Sequence, residues 1–541
     1  MKQVIWGTGY NAAKCIFAVG EEKVSFFIDS DLSREGKFFG KPILHSSEIE
    51  KWDGLYIYIP HNFYDEISSF LKKRGLKENI NFTKYDDKLH VDVKRAEHDL
   101  ESSLNQLREV ATAWKNETLF ICIHLLTKKA YRDYVKALLN YFDDLHLISE
   151  AYWIGRNILE NEFEEKVVIT PCFWEHYTAI SAGDMPVVES DIMVRKDYLY
   201  ETAMQIQDIF PEMSMQTCFY QAACMEKYIR GMLKYVQPQR IICYESVSPS
   251  HHMLQRICRE ENVPIIFTHP GIIPGTISFD TYGEIGESLP ALRWKDFMCL
   301  PIEDKDLDYA RSVWRYLYKS ELNRKIQPKN DCIAYIKQKM KLGRPVIFFA
   351  GQNDVLSHMI PYNDISKKYH SPIFSSSLET VVYLAEICGK NDWNLVYKPH
   401  PMYTQTEKVS SLPQNIIFVE FGDVNRIIDF SDVTMTILST TNYNALIRYK
   451  PVIMMGYTQT MGKGCTYEAF EKDRIEYTIK EALENGFTKE QQESFLRHIA
   501  QCLKYYLYDD LQERPIRYGR PIPKSISELY DLDNNLNKVT N

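Results

Sequence analysis

The chain has 541 residues, 45% hydrophobic and 25% charged, with a formal net charge of −9 at neutral pH. The composition is that of an ordinary globular protein, the length predicts about two to four domains, and the acidic balance argues against nucleic acid as a bulk partner. No apolar run approaches the roughly 18–20 residues needed to span a bilayer, and none of the twelve cysteines forms a CxxC pair, which excludes zinc-ribbon and thioredoxin-like motifs.

The chain opens as a βαβ unit. Val4-Ile5-Trp6 reads as a strand, the segment from Gly7 to Ala12 opens a helix, and Val24 to Ile28 is a second strand ending in Asp29. This is GxGxxA with an acid twenty residues after Gly9, the spacing of a dinucleotide-binding fingerprint. Gly7, Gly9 and Asp29 are therefore nucleotide-binding candidates, although structural glycines explain the pattern equally well. Asp29-Ser30-Asp31 also matches a DxD metal motif, by accident of its place at a strand end. Next come Gly40-Lys41-Pro42-Ile43-Leu44, a helix start at Ser46-Ser47-Glu48, the strand Leu55 to Ile59 and a helix to Arg74.

Residues 1–88 thus form a small Rossmann-like domain. Residues 89–116 are a charged linker helix with Leu100, Leu104, Leu107, Val110 and Ala111 at helical spacing. A second α/β region, 117–330, has strands at Leu119–Ile123, Val167–Ile169, Arg240–Tyr244 and Pro264–Phe267. Its helices are Lys129–Tyr141, Gln216–Tyr235 and Ser250–Glu261. Cys122 and Cys243 lie inside its apolar runs, as buried thiols of a reducing cytosol do. A charged helical pair over residues 304–341 bridges to a third region, 331–485, which starts at the strand Pro345–Ala350. Residues 486–541 hold a final amphipathic helix, 488–508, and a polar tail.

Three segments carry candidate chemistry. The central one, residues 264–288, ends a strand at His269-Pro270-Gly271, turns through a rigid Gly/Pro loop, and places Asp280, Glu284 and Glu287 within eight residues. Such loops commonly carry function; solvated acids on a connecting loop are the plain alternative. In the third region NLVYKPHP is a strand ending in Lys398, His400 and Pro401, and TMTILSTTNYNALIRYKPVIMMG is a strand ending in Ser439-Thr440-Thr441. In open α/β sheets ligands bind outside the carboxyl ends of the strands. A Ser/Thr cluster there caps the next helix and offers hydroxyl and backbone N–H groups to an anion. With Gly351-Gln352 after the strand PVIFFA, these residues suggest a site for a phosphate-bearing ligand.

The HP element followed by a Ser/Thr-rich element resembles the donor-binding motifs of GT-B glycosyltransferases that use CMP-sugars, and of the capsule-polysaccharide biosynthesis family that includes bacterial β-Kdo transferases. Gly271, Pro274, Gly275, Thr276, Asp280 and Gly283 are similar to the interlobe segment of that family. The chain departs from it in carrying His269-Pro270 where an acidic residue often precedes the first glycine. The 1–88 domain resembles the small N-terminal domain of bacterial sugar acyltransferases.

The resemblance implies an α/β fold of GT-B type, two Rossmann-like lobes facing a cleft, plus the small N-terminal domain. It implies a cytoplasmic enzyme, able to sit at the inner face of the plasma membrane beside polysaccharide assembly machinery. It would transfer an acidic sugar such as Kdo or a nonulosonate from a CMP-activated donor to a glycan or lipid-linked glycan acceptor. No cofactor and no metal are expected. Gly351, Gln352, Lys398, His400, Pro401, Ser439, Thr440 and Thr441 would bind the donor. His269, Asp280, Glu284 and Glu287 would be the catalytic candidates, with Glu245 a further carboxylate. A CDP-glycerol-type polyol phosphotransferase and a non-catalytic nucleotide-sugar-binding assembly protein are the alternatives.

Overall fold

The computed structural model describes residues 1–8, 22–30, 36–60, 64–85, 93–122, 129–151, 167–171, 197–209, 213–322, 332–354, 369–400, 412–420, 422–513 and 516–531, with a few single positions besides. Gly9, Asp31 and Pro401 lie outside the described residues. The chain divides into two compact units, one of Met1–Leu139, Asp144–Leu199 and Glu212–Gln239, the other of Asn140–Asp143, Tyr200–Pro211 and Arg240–Asn541.

The first unit begins with β1 (Lys2–Trp6), β2 (Val24–Asp29), β3 (Lys37–Phe38), β4 (Lys41–His45), β5 (Leu55–Ile59), helix α1 (Tyr64–Lys72) and β6 (Phe82–Lys84). The sheet order is β3-β4-β2-β1-β5-β6. It is parallel except for the β3–β4 hairpin. Val4, Ile5, Ile57 and Ile59 are fully buried, as expected of strands covered on both faces. Ile5 and Phe27 belong to one apolar cluster and Val4, Ile28 and Ile57 to another.

The helix expected at Ser46 is a turn instead. The His45 amide donates to Glu48 Oε2 at 2.6 Å and the Ser47 amide to His45 Nδ1 at 3.3 Å. These side chains satisfy the backbone locally and so compete with helix formation.

The same unit continues through α2 (Val93–Trp114), β7 (Thr118–Cys122), α3 (Lys129–Tyr141), β8 (Leu145–Ala151), β9 (Val167–Pro171), the start of α4 (Asp197–Ile209), and α5 (Met215–Val236). Strands β7, β8 and β9 run parallel. Helix α2 is packed rather than free. Leu100, Leu104 and Leu107 are buried, and a Cβ on Gly231 of α5 would lie 2.5 Å from Leu104 Cδ2.

The second unit carries β10 (Arg240–Tyr244), α6 (Pro249–Glu260), β11 (Ile265–Pro270) and β12 (Thr276–Asp280), then α7 (Asp304–Ser320) and α8 (Cys332–Lys339). Next come β13 (Val346–Ala350), α9 (Ser377–Lys390), β14 (Asn394–Lys398), β15 (Ile416–Phe418), α10 (Val424–Phe430), β16 (Val433–Thr436), α11 (Thr441–Ile447), β17 (Val452–Met454) and β18 (Tyr467–Glu468). Helices α12 (Ile475–Asn485) and α13 (Lys489–Gln501) and strand β19 (Leu507–Asp509) complete it.

Strands β13 to β18 form a parallel sheet in the order β15-β14-β13-β16-β17-β18. Every β13 side chain is buried. Ile347 and Phe349 pack on one face, Val346 and Phe348 on the other.

The C-terminal helix is shorter than the expected 488–508. After Gln501 the chain makes a π-helical turn, Cys502–Tyr506, and then becomes β19, antiparallel to β12 with Ile277 opposite Tyr508. The edge of β12 would otherwise present unpaired backbone groups, and that demand overrides the helical pattern. Among the described residues every cysteine is free and all but Cys299 are buried.

Candidate active site

Counted in chain order, the β13–β18 sheet runs 3-2-1-4-5-6, and its topological switch lies between β13 and β16. The crevice beyond the carboxyl ends of those two strands is where such folds bind nucleotides. Gly351 and Gln352 follow β13, and Ser439–Thr441 follow β16. Lys398 and His400 stand at the end of neighbouring β14. The donor-site candidates that the structure describes are thus collected at one sheet end, around the switch.

Their roles separate on inspection of their bonds. The Gly351 amide donates to Lys398 O at 2.9 Å. A Cβ there would lie 3.0 Å from the Tyr397 ring and 3.3 Å from Lys398 O, so glycine lets the two strand ends close up. The Gln352 amide donates to Ser377 Oγ at 3.0 Å, and its Oε1 accepts from the Leu438 amide at 3.0 Å. Its Nε2 lies 2.8 Å from Asp354 Oδ1 and 3.1 Å from His370 Nε2. Gln352 is thereby a clamp joining β13 to β16 across the switch. Asp354 also accepts from the Ser377 amide at 2.7 Å, and burial pushes its carboxyl up to about 6. Burial holds the His370 imidazole down at about 4, hence neutral.

Lys398 is buried, and burial lowers its ammonium, with Cys332 and Asp423 opposing that shift. His400 is half-buried two residues past β14. The side-chain cap at Ser439–Thr441 comes from Ser439, whose Oγ accepts from the Thr441 amide at 3.4 Å. Thr440 is the N-cap without a side-chain cap bond, and Ser439 Oγ donates to Thr441 Oγ1 at 2.9 Å. All three are part-exposed.

The central segment arranges four further candidates. Asp280 is fully buried. Its Oδ1 accepts from the amides of Tyr282 (2.8 Å) and Gly283 (3.4 Å), and its Oδ2 from the Leu289 amide and the Tyr506 hydroxyl, both at 2.8 Å. Burial pushes its carboxyl up to about 6 against those bonds, which lower it. Asp280 is a hub that shapes the loop and ties it to the C-terminal segment. Glu284 Oε1 accepts from the Ser246 amide at 3.2 Å while Ser246 Oγ accepts from the Glu284 amide at 3.1 Å. His269 is buried, with Nδ1 2.7 Å from Pro270 O.

Ile285 has φ +54°, a costly backbone for a β-branched residue. Its side chain packs on the cluster that covers one face of the β13–β18 sheet. Gly286 follows, and a Cβ there would run into Tyr369 O and lie 2.8 Å from Tyr457 O. The Tyr457 amide in turn donates to His370 O at 2.7 Å. Contacts therefore run from the central loop through Tyr369-His370 and Gln352 to Leu438 and the Ser/Thr cluster.

Glu287 comes next. Burial pushes its carboxyl up to about 7, Glu284 and Asp280 raise it further, and Arg259 opposes them. An acid raised on folding stabilises fully below its unfolded value, and that contribution is lost as pH rises through the folded value. Replacing Glu287 by Gln should therefore stabilise the protein by up to about 3 kcal/mol well above pH 7. The advantage should fade as pH falls from about 7 towards 4.5. Urea melts at several pH values check this; an equal shift at all pH values would refute it.

The sequence reading missed Asp354, His370 and Tyr506. Asp354 carried a signal, the polar run Gly351-Gln352-Asn353-Asp354 at a strand end. His370 and Tyr506 carried none, because their partners are remote in sequence. It also missed Lys463, whose Nζ donates to Pro290 O at 2.7 Å and whose ammonium burial lowers to about 8. Gly7, Thr8 and Asp29 belong to the first unit, where Thr8 Oγ1 donates to Asp29 Oδ2 at 2.5 Å. Among the described residues no group of three or more His, Cys, Asp or Glu could hold a metal ion. No described helix is long and apolar enough to cross a membrane.

No family model matches the chain, and no curated protein does. Solved structures do. The chain is similar to Thermosulfurimonas dismutans KpsC, beta Kdo 2,7 transferase, at 19% identity and TM-score 0.34, over 57% of this chain and 89% of that one. It is similar to the beta Kdo 2,4 transferase of KpsC from the same organism at 13% identity and TM-score 0.36, over 56% and 88%. A third is Methanocaldococcus jannaschii UDP-GlcNAc 2-epimerase, at 11% identity and TM-score 0.32, over 72% and 99%.

Proposed function

We propose that the chain is a glycosyltransferase of GT-B type in bacterial surface-polysaccharide assembly. It takes an acidic sugar, such as Kdo or a nonulosonate, from a CMP-activated donor and passes it to a glycan acceptor, without metal, on the cytoplasmic side of the membrane. The observation that carries the reading is the convergence of the Gly351-Gln352, Lys398–His400 and Ser439–Thr441 segments on the switch point of a 3-2-1-4-5-6 sheet. The carboxylate-bearing loop is seated against the same sheet end through Gly286.

Departure of a nucleotide leaves negative charge on phosphate, which fixed dipoles and hydrogen-bond donors stabilise best in a preorganised site. The part-exposed hydroxyls of Ser439–Thr441 and the ring of His400 are the donors for that charge. Gln352 and Gly351 act behind them by fixing the strand ends. Lys398, buried among neighbours of its own, adds long-range positive potential rather than a direct contact.

Calorimetric titration with CMP, CDP, UDP and GDP tests the reading, followed by product analysis with the matching sugar donors. CMP should bind tightest. A glycoside product supports the proposal; a phosphodiester would make the protein a polyol phosphotransferase, and no turnover would make it a binding protein. Turnover should survive EDTA. Losing one charge-assisted hydrogen bond to phosphate is worth about 1.5 kcal/mol or more, so His400→Ala should weaken CMP binding about tenfold while the protein stays folded. Unaltered CMP affinity in both His400→Ala and the triple Ala variant at 439–441 would remove the phosphate site from this sheet end.

A further inference from the structure

We infer that Glu287 is the group that takes the proton from the acceptor hydroxyl, with Asp280 and Glu284 as its positioning residues. The inference rests on the glycosyl-transfer reading above and assigns one carboxylate among several.

The assignment follows from how each acid is used. Asp280 spends both oxygens on four donors of its own loop and of Tyr506, so it has no lone pair aimed elsewhere. Glu284 exchanges bonds with Ser246 just after β10 and is buried. Glu287 is less buried than either. Its carboxylate folds back over Gly283, where a Cβ would meet Glu287 Cβ at 2.9 Å, Glu287 Oε2 at 3.0 Å and Ser246 Oγ at 3.2 Å. Any larger residue at 283 would push that carboxylate away.

Glu287 directly follows the strained Ile285 and the wedged Gly286, and it is Gly286 that sits against the Tyr369 and Tyr457 backbones. Those segments adjoin the switch-point clamp through His370. The groups facing it are Asp280 and Glu284 from its own loop and Arg259 from α6. Two like charges against one cation favour proton uptake, and a base whose affinity for a proton lies near the working pH is the most effective kind.

The step balances as a single displacement. The acceptor O–H bond breaks and its proton passes to a Glu287 oxygen. The acceptor oxygen forms a bond to the anomeric carbon as the bond from that carbon to the donor phosphate oxygen breaks. The electron pair leaves with the nucleotide, and Glu287 returns the proton to solvent.

The test uses the full chain and whichever CMP-, UDP- or GDP-sugar the wild-type protein turns over. Glu287→Gln should lower kcat by about 10²–10⁴-fold while CMP affinity by calorimetry stays at the wild-type value. Glu287→Asp should restore part of the rate. The wild-type kcat should rise with pH through about 7, and the Gln variant should lose that rise. A Gln variant with wild-type kcat, or one that loses CMP affinity in step with kcat, overturns the assignment. A wild-type protein that binds CMP but turns over no donor overturns the glycosyltransferase reading and this inference with it.

Discussion

Gly286→Ala should destabilise the protein by about 3–5 kcal/mol, well beyond the usual cost of one added methyl group. The new Cβ would run into Tyr369 O and approach Tyr457 O to 2.8 Å. Both obstacles are backbone, so no side chain can swing aside. Both are pinned as well, since the Tyr457 amide is bonded to His370 O and the His370 ring to Gln352. Relief requires the 283–287 turn to lift off the sheet end and pull Ile285 from its apolar seat. Urea unfolding measures the loss. Gly389→Ala is the control, because its Cβ would meet only Asn415 Nδ2 at 3.2 Å, inside helix α9. Alanine there recovers up to about 1 kcal/mol of helix propensity. If both variants melted alike, the wedge at Gly286 would carry no energy.

Much of the architecture was legible because parallel strands buried on both faces read as uninterrupted apolar runs. Val346–Ala350, Asn394–Lys398 and Arg240–Tyr244 fall where that pattern expects them. The expected α/β class follows from them. The pattern failed where a local rule met a non-local demand. The stretch after Gln501 has helical spacing, yet the bare edge of β12 takes Leu507–Asp509 as a strand. Ser46-Ser47-Glu48 has the composition of a helix start, yet the side chains of Glu48 and His45 accept from backbone amides of a turn.

The site divides in the same way. That Lys398, His400 and Ser439–Thr441 end strands could be read from the chain, because a strand end is a local event. That β13 and β16 are neighbours at a switch point could not, because sheet order depends on contacts across some ninety residues. Gln352 shows the limit most clearly. Its position after a strand suggests a ligand contact, but its amide is consumed by Leu438, Asp354 and His370. Residue type and place indicate that a group is near a site; only the partners say whether it is free to act there.

Asp280→Ala should cost about 3–6 kcal/mol and loosen the C-terminal segment together with the central loop. Four donors converge on this carboxylate, and each buried donor left unsatisfied costs about 1–3 kcal/mol, less wherever water can enter. Two of them differ in kind. The Leu289 amide fixes the exit of the 281–288 loop, whereas the Tyr506 hydroxyl belongs to the π-helical turn that feeds β19. Gln459 Nε2 donates to that same hydroxyl at 3.3 Å, so a chain of three side chains links the loop after β17 to the loop after β12. Tyr506→Phe breaks the chain at its middle and leaves three of the four donors on Asp280, so it should cost only about 1–2 kcal/mol. Asp280→Asn should fall near Asp280→Ala, because one oxygen of the amide must serve donors that two served before. A urea midpoint for Tyr506→Phe above those of Asp280→Asn and Asp280→Ala separates a hub from a simple buried acid. Were the cost of burying the charge larger than the worth of these bonds, Asp280→Asn would be more stable than wild type at pH 8, and the role of Asp280 as organiser of the Glu287 loop would have to be given up.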